Sequence, residues 1–380
     1  MKKIYLDYAA TTPVDPRVAK ATSFLFANTM SLHSFGQEAK LVLEESRGVI
    51  ASLINAKPEE IVFTGSATES NNLALKGVAF ANKRKDNHII ISSIEHACIM
   101  ESAKWLEKQG FKITKLPVDK FGMVNPEDVK KAITDKTILV SVMHANNEIG
   151  TIEPITEIGK VCRQKGVLFH TDASQSLGKI LIDVKKMNID LLTASSHKMY
   201  GSKGTALLYI REGVKIEPIL HGGGQENGLR SSTVNVPAIA GFAKACEICK
   251  RPDKSRGHIV KLRDKVIKNI LKIKGSHLTG HPTKRLPNIA SFTFDYIEGE
   301  SLVMRLDIEG IACSTGSACS SIKLEPSYVL LATGLKAEQA HGSLRVSLGR
   351  WTSEKEINYF IKILPGIIKQ LRKVSPYGKN

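Results

Sequence analysis

Short apolar runs alternate with amphipathic stretches along the chain between about residues 60 and 212. The runs are rich in β-branched residues and predict strands, while apolar residues that recur every three or four positions predict helices. This alternation is typical of a doubly wound α/β fold, a mainly parallel sheet covered by helices. The predicted strands are residues 60–64, 88–92, 112–117, 137–144, 167–171, 191–195 and 204–210, and helices such as 69–81 and 155–164 lie between several of them.

A second, smaller unit is predicted beyond the triple glycine at residues 222–224. A helical pattern from about Pro237 towards Lys250 ends at residues 251–253, because Pro252 cannot continue a helix. The first dozen or so residues are expected to pack against this unit. Its predicted elements are a basic helix at 254–274, strands at 288–294 and 342–348, and an amphipathic helix at 353–373.

The length of 380 residues is large for one hydrophobic core and favours two domains. We predict a large α/β domain over residues 15–252 and a small α+β domain formed by residues 1–14 and 253–380. A composition of 42% hydrophobic and 24% charged residues excludes the disordered and collagen-like classes. No apolar run approaches the roughly 20 residues that cross a bilayer, and Asp7 precedes any signal-like apolar run. We expect a cytoplasmic protein with no membrane partner.

Six cysteines in 380 residues are too few for a disulfide scaffold, so we interpret them as reduced thiols. The 54 Lys and Arg residues exceed the 37 Asp and Glu residues, and the net charge of +17 could attract an acidic partner, an anionic cofactor or nucleic acid. The lysines are scattered among acids, and no aromatic-interleaved RNA-binding motif is present. A solvated basic surface without direct nucleic-acid binding is the favoured interpretation.

Polar residues follow several predicted strands, at the sheet edge where α/β proteins bind ligands. The turn at residues 64–70 consists of small residues and opens a helix, so its N–H groups could hold a phosphate, although a plain helix cap has the same pattern. Asp172 and Gln175 follow another strand, where an acid must be solvated, paired or used; it could merely cap the next turn. His96 and Asn147 follow two further strands.

Lys198 comes shortly after Ser195 and His197 at the end of the predicted strand 191–195. A lysine at such a place is costly unless its amine is paired or covalently committed. Pyridoxal 5′-phosphate (PLP) requires a phosphate cradle, an acid for its pyridine nitrogen, a lysine anchor and an aromatic stacker. The sheet edge offers all four, and this combination is far more specific than any single residue.

These residues lie in motifs that resemble the NifS/IscS-type cysteine desulfurases, members of the class V aminotransferase family on the fold type I PLP-enzyme scaffold. The resemblance covers nearly the whole chain and keeps the family's motif order. The motifs are residues 5–13 (YLDYAATTP), 67–70 (ATES), 144–150 (HANNEIG), 172–176 (DASQS), 197–201 (HKMYG), 316–319 (GSAC), 324–327 (LEPS) and 343–350 (SLRVSLGR).

The resemblance implies a PLP cofactor held by several of these residues. Lys198 would bind PLP covalently and move the Cα proton of L-cysteine, Asp172 would pair with the pyridine nitrogen, and His96 would stack on the ring. The other implied cofactor contacts are Gln175, Asn147, Ala67, Thr68, Ser195, His197 and, from a partner subunit, Thr233. That last contact implies a homodimer.

The resemblance also implies the substrate contacts and the nucleophile. Asn28, Asn147 and Arg345 would bind L-cysteine, Arg345 by a bidentate pair with the carboxylate. Cys319 would attack the substrate sulfur, leaving a persulfide on the enzyme and releasing alanine, although a free cysteine is more often a small buried hydrophobe. The polar residues around it, 314–321, predict a flexible loop. The distance from Cys319 to Glu325 and Pro326 resembles the long-loop group of these enzymes, which implies that the loop hands sulfur to an iron–sulfur scaffold or a tRNA-thiolation protein. We predict no metal site, apart from Cys319 as a transient ligand of a cluster.

Several positions depart from the family pattern, and their effect on substrate affinity and rate is open. They are Thr29 and Met30 in the N-terminal substrate loop, Ser196, Gln225 and Ser232. Cys313, six residues before Cys319, could receive sulfur or simply pack, and packing is the favoured interpretation. Cys246 and Cys249 have zinc-like spacing but fall inside a helical pattern, which argues against zinc.

Two other functions remain open from the sequence. A selenocysteine lyase, an aminotransferase or another fold type I enzyme would share the cofactor residues without needing Cys319. A weakly active platform for an iron–sulfur scaffold would use the basic surface, but it would not need Lys198, Asp172, His96, Cys319 and Arg345 together.

Overall fold

The computed structural model describes residues 3–22, 26–83, 87–250, 254–316 and 325–375. The strands, numbered in chain order, are β1 (Ile4–Tyr5), β2 (Ile61–Thr64), β3 (His88–Ser92), β4 (Lys112–Leu116), β5 (Thr137–Ser141), β6 (Leu168–Asp172), β7 (Leu191–Ser195), β8 (Ala206–Ile210), β9 (Ser276–Thr279), β10 (Ile289–Phe294), β11 (Ile311–Ala312) and β12 (Ser343–Ser347). The α-helices are α1 (Pro16–Ala21), α2 (Ser34–Leu53), α3 (Ala67–Asn82), α4 (Ala97–Lys108), α5 (Pro126–Ala132), α6 (Ile155–Lys165), α7 (Val236–Lys250), α8 (Lys254–Ile270), α9 (Gly299–Ile308), α10 (Tyr328–Ala332), α11 (Ala337–His341) and α12 (Glu354–Val374).

A seven-stranded sheet in the order β2-β8-β7-β6-β5-β3-β4 forms the centre of the larger unit. All neighbours are parallel except at β8, which runs antiparallel to β2 and β7. The predicted α/β class and all seven predicted strands are confirmed. The strand predicted at 137–144 ends at Ser141, although the N–H groups of Val142 and His144 still donate to β6 carbonyls.

Helices cover both faces of this sheet, and the side chains of one strand show why. Ile89, Ile90 and Ile91 of β3 are fully buried, which a strand allows only when both of its faces are covered. Ile89 and Ile91 join a core that contains residues of α3 and α4, whereas Ile90 joins the opposite core with residues of α2, α6 and α7. The continuous apolar runs in the sequence reflect this double burial.

A separate hydrophobic core lies in the smaller unit, where β9, β10 and β12 form an antiparallel sheet. Residues of α8, α9 and α12 pack on it, and Ile4 and Leu6 from the N-terminal segment join them. β1 pairs in parallel with β11. Ile4 and Leu6 therefore pack where the first residues are expected to, whereas Ala9 and Ala10 accept hydrogen bonds from Lys198 of the larger unit. The strand pair β10–β12 is confirmed. The exact domain boundary stays a prediction, because residues 251–253 lie outside the described ranges.

Within the described ranges, no helix is both long and apolar enough to cross a bilayer.

We expect Leu6→Ala to lower the free energy of unfolding by about 2–5 kcal/mol, because Leu6 is fully buried and its loss leaves a cavity in the smaller core. Leu181→Ala is the control, since Leu181 is 80% exposed and its truncation should change the free energy by less than about 0.5 kcal/mol. Urea denaturation measures both. Equal effects would show that the N-terminal segment does not stabilise this core.

Candidate active site

A cleft of about 390 Å³ opens at the carboxyl ends of the central strands, between the sheet and β12. Its lining brings together most of the site residues that the sequence predicts. They are Ala67, Thr68, His96, Asn147, Asp172, Gln175, His197, Lys198 and Arg345. A larger cavity of about 580 Å³ also touches Lys198, but it contains none of the other predicted site residues.

Three of the predicted residues that the structure describes do not line this cleft. Ser195 is buried at the end of β7, behind the lining, and Asn28 lies exposed in a loop where its Oδ1 accepts a hydrogen bond from the N–H of Met30. The exposed Thr233 borders a separate pocket, so its contact with a partner subunit's cofactor stays a prediction. Cys319 lies outside the described residues, but Gly316, three positions earlier, lines the cleft.

The sequence offers two interpretations of the turn between β2 and α3, a helix cap and a phosphate site, and the turn has features of both. Ser66 caps α3 by accepting the N–H of Glu69 (3.1 Å), and the helix N-terminus with Ala67 and Thr68 faces the cleft. Glu69 pairs with Arg230 (Nε–Oε1 2.6 Å). Because Arg230 offsets that carboxylate, the helix N-terminus can favour a bound anion.

Asp172, the last residue of β6, is 6% exposed and held by two donors. Its Oδ2 accepts from Nδ2 of Asn71 (2.7 Å) and its Oδ1 from the N–H of Ser174 (2.9 Å). Sequence reasoning missed Asn71, which lies fully buried on α3 and lines the cleft. The sequence contained one signal for this role, because Asn71 is a polar residue on the buried face of an amphipathic helix.

Lys198 ends a short turn after β7, and its Nζ donates to the carbonyl oxygens of Ala9 and Ala10 (2.7 Å each). Nε2 of Gln175 also donates to Ala9 (2.9 Å). Lys179 lies close behind and donates to the carbonyl oxygen of Lys198 (3.0 Å). Burial and then the Lys198 charge lower the pKa of Lys179 to about 7. The N-terminal motif at residues 5–13 thus forms part of the site.

His197 remains neutral at physiological pH. Burial, followed by the charges of Lys198 and other lysines, lowers its pKa to about 4. Its Nδ1 lies 3.1 Å from Oγ1 of Thr11. A neutral imidazole can donate one hydrogen bond to a phosphate without adding a further cation to the lysine cluster.

Arg345 in β12 is 3% exposed and joins the two units of the fold. Nη1 donates to the carbonyl oxygen of Asn147 (2.9 Å), and Nη2 pairs with Oδ1 of Asp7 (2.8 Å). Its Nε has no hydrogen-bond partner. A buried guanidinium that has an unused N–H donor is suited to bind a carboxylate ligand.

Two buried carboxyl groups, Glu95 and Glu148, are the chain neighbours of His96 and Asn147. Glu95 accepts from Oγ of Ser92 and the N–H of Met143 (2.7 Å each), and burial raises its pKa to about 8. Burial also raises the pKa of Glu148, which lines the cleft and is 5% exposed. No group of three or more metal-ligating side chains occurs among the residues that the structure describes.

The departures from the family pattern are accommodated in the described fold. The Ser196 hydroxyl occupies the space that a Cβ at Gly201 would take. Oε1 of Gln225 accepts from the N–H of Ser232 (3.1 Å), so two of the departures contact each other. Cys246 and Cys249 lie on α7, as the helical pattern predicts.

The fold and the residues that line the cleft define the class of the protein, a PLP-dependent transferase. Comparison with known proteins narrows this class to one family. The aminotransferase class-V family model matches residues 4–360. Cysteine desulfurase IscS 1 of Archaeoglobus fulgidus is 52% identical, covering 98% of both chains, and mitochondrial cysteine desulfurase of Saccharomyces cerevisiae is 47% identical, covering 99% of this chain and 77% of that protein. A solved NifS-like protein shares 38% identity with a TM-score of 0.91, covering 97% and 100% of the two chains. A solved SspA in complex with cysteine shares 36% identity with a TM-score of 0.83, covering 92% and 100%. The chain belongs to the aminotransferase class-V family, among the cysteine desulfurases.

Its cofactor is PLP, and the cleft fits that group. The α3 N-terminus lies on the cleft and can bind an anion, the Asp172 carboxylate offers an acceptor for a protonated ring nitrogen, and Lys198 lines the same cleft. Oε1 of Gln175 and Oδ1 of Asn71 are buried without a partner, so the cleft has hydrogen-bonding capacity that the protein alone does not use.

We expect the stability of Glu95→Gln to fall less steeply with rising pH than the stability of the wild type. Because burial raises the pKa of Glu95 to about 8, its neutral form stabilises the fold at low pH, and this contribution is lost as the pH rises towards 8. The melting temperature of the wild type should therefore fall relative to Glu95→Gln between about pH 5 and about pH 8. The exposed Glu338→Gln is the matched control. Parallel pH curves for wild type and Glu95→Gln would contradict the prediction.

Proposed function

We propose that this protein is an L-cysteine desulfurase that converts L-cysteine to L-alanine and holds the sulfur as a persulfide on Cys319. The observation that carries the proposal is one cleft lined by Lys198, Asp172 and Arg345, to which Gly316 next to the cysteine segment also contributes. The relatives named cysteine desulfurases and the solved SspA with cysteine support the same chemistry.

In this proposal, different residues bind or assist different parts of the cofactor. PLP, when bound, supplies a carbonyl that links amines and a ring that withdraws electrons from Cα. Asp172 would accept a hydrogen bond from the protonated ring nitrogen, and Lys198 would provide the anchoring amine and the base for the Cα proton. His96 would stack on the ring, while Gln175 and Asn147 would contact its phenolic oxygen or the substrate. Ala67, Thr68, Ser195 and His197 would hold the phosphate.

The proposed sulfur-transfer step is balanced in atoms and electrons, and it needs no external oxidant. The Cys319 thiolate attacks the substrate sulfur, forming an S–S bond as the substrate Cβ–S bond breaks. The electron pair of the broken bond stays with Cβ, which takes up a proton and becomes the methyl group of alanine. One cysteine and one enzyme thiol thus become one alanine and one persulfide.

We further propose that Arg345 recognises the substrate carboxylate and that Asn28 completes the substrate site. The unused Nε of Arg345 and its burial support this role. We also infer a cytoplasmic homodimer, in which the exposed Thr233 reaches the partner's cofactor. The persulfide would pass to an iron–sulfur scaffold or a tRNA-thiolation protein.

Incubation of the PLP-loaded protein with L-cysteine should add one sulfur to Cys319, mapped by alkylation and peptide mass spectrometry. Lys198→Ala and Cys319→Ser should form no persulfide at this position, because the first lacks the anchor and base and the second lacks the nucleophile. Cys313→Ala, a change at a buried strand-end thiol, is the control and should still form it. Sulfur on Cys313 would refute the nucleophile, and no persulfide on any cysteine would favour a lyase or another PLP enzyme.

We expect Arg345→Lys to raise KM for L-cysteine by about tenfold to a hundredfold, because an ammonium cannot reproduce the two-pronged pair of a guanidinium. The amine also loses at least one of the present contacts to Asp7 and Asn147. Steady-state alanine formation measures KM, and the cofactor absorbance shows that PLP is still bound. An unchanged KM would place carboxylate recognition on another residue.

A further inference from the structure

The thiol of Cys98 lies between two side chains of the cofactor cleft. Nδ2 of Asn71 donates a hydrogen bond to its Sγ (3.2 Å), and Nδ1 of His96 lies 3.1 Å from the same sulfur. Cys98 is half-buried and lines the cleft together with both residues. This sulfur therefore has polar partners inside the site, unlike a thiol packed in a hydrophobic core.

Asn71 determines the direction of the first contact. Its Nδ2 carries two hydrogens, and it donates to Oδ2 of Asp172 (2.7 Å) as well as to Sγ of Cys98. Because a carboxylate only accepts hydrogen bonds, the amide must face Asp172 with its nitrogen and not with its oxygen. The sulfur of Cys98 is therefore an acceptor from Asn71.

The direction of the second contact follows from the start of α4. The backbone N–H of Cys98 donates to Nδ1 of His96 (3.2 Å), which caps this helix. A ring nitrogen that accepts this hydrogen bond carries no proton, so the thiol is the donor in the contact between Sγ and Nδ1. The neutral His96 ring then has its hydrogen on Nε2. Cys98 thus holds the His96 ring through both its backbone and its side chain.

These contacts form one chain of hydrogen bonds that runs across three elements of the fold. Asn71 on α3 donates to Asp172 at the end of β6 and to Cys98 in the first turn of α4, and Cys98 donates to the cap residue His96. Hydrogen bonds in such a network strengthen one another and favour a single arrangement of their members.

We propose that Cys98 is a positioning residue for the cofactor ring, because it links His96 to the hydrogen-bonded pair of Asn71 and Asp172. The inference rests on the proposed roles of His96, which would stack on the ring, and of Asp172, which would bind the ring nitrogen. A ring held between these two side chains keeps its orientation only if both side chains keep theirs, and small errors in orientation slow a reaction.

The test uses the full-length, PLP-loaded enzyme and two measurements that do not depend on Cys319. Visible circular dichroism of the bound cofactor reports the surroundings of its ring. Exchange of the Cα hydrogen of L-alanine in D₂O, followed by NMR, needs PLP and the Lys198 base. We expect Cys98→Ala to change the dichroism and to slow the exchange by about threefold to tenfold, which corresponds to the loss of one hydrogen bond.

Two further cysteine variants separate positioning from a general effect of losing a thiol. Cys98→Ser keeps a hydroxyl that accepts from Asn71 and donates to His96, so it should retain most of the exchange rate and the dichroism. Cys249→Ala is the matched control, because Cys249 is also a half-buried cysteine on a helix but does not line the cofactor cleft. It should behave like the wild type.

A double variant tests whether Cys98 acts through the chain of hydrogen bonds. Asn71→Ala removes the donor to Asp172 and to Cys98, so it should slow the exchange at least as much as Cys98→Ala does. In the double variant, the loss should be smaller than the product of the two single losses, because both changes break the same chain. If Asn71→Ala does not fold, the comparison of Cys98→Ala with Cys98→Ser decides.

The outcomes distinguish this inference from the proposed function. An exchange rate and a dichroism of Cys98→Ala equal to those of the wild type would overturn the positioning role alone. A Cys98→Ser variant as impaired as Cys98→Ala, or a double variant whose loss equals the product of the single losses, would also overturn it. A wild type that exchanges the Cα hydrogen but forms no persulfide would refute the desulfurase and leave these comparisons valid.

Discussion

The buried guanidinium of Arg345 connects parts of the chain that are far apart in sequence. Its two bonds go to Asp7 in the N-terminal segment and to Asn147 after β5, while Arg345 itself lies in β12. Removing one partner would leave an unpaired buried charge, which is strongly destabilising. The N-terminal motif, the sheet edge and the smaller core must therefore meet in one arrangement, and the cleft forms where they meet.

That arrangement also sets the electrostatics of the cleft. Lys198 and Lys179 lie close together, and burial, followed by the charge of Lys198, lowers the pKa of His197. The carboxylate of Asp172 is held by neutral donors, Asn71 and Ser174, so its charge is not cancelled by an ion pair with either. The cleft thus contains an acid, a lysine amine, a neutral imidazole and a helix N-terminus. A ligand with a basic ring nitrogen and a phosphate matches this set of groups.

The sequence predicted the sheet and much of the cleft because both follow from local patterns. Apolar runs predicted the seven strands, and polar residues directly after them, such as Asp172 and Lys198, reach the same edge by topology alone. Contacts made by distant segments gave no local signal. The pairing of Asn71 with Asp172 and the bond from Ser327 to Glu148 span 101 and 179 positions. Asn28 and Thr233 were expected from the resemblance, and one chain by itself does not bring them to the cleft.

Burial disfavours the thiolate form of three cysteines that lie in the cores of the fold. Cys313 follows β11 with 8% of its surface exposed, and burial raises its pKa to about 12, with Asp7 adding to the shift. Burial also raises the pKa of Cys162 to about 12 and that of Cys246 well above its usual value. Since the thiolate is the nucleophile, these three residues stay unreactive at neutral pH. The residues around Cys319 are small and polar in the sequence, which is why Cys319 and not one of these three cysteines is proposed as the nucleophile.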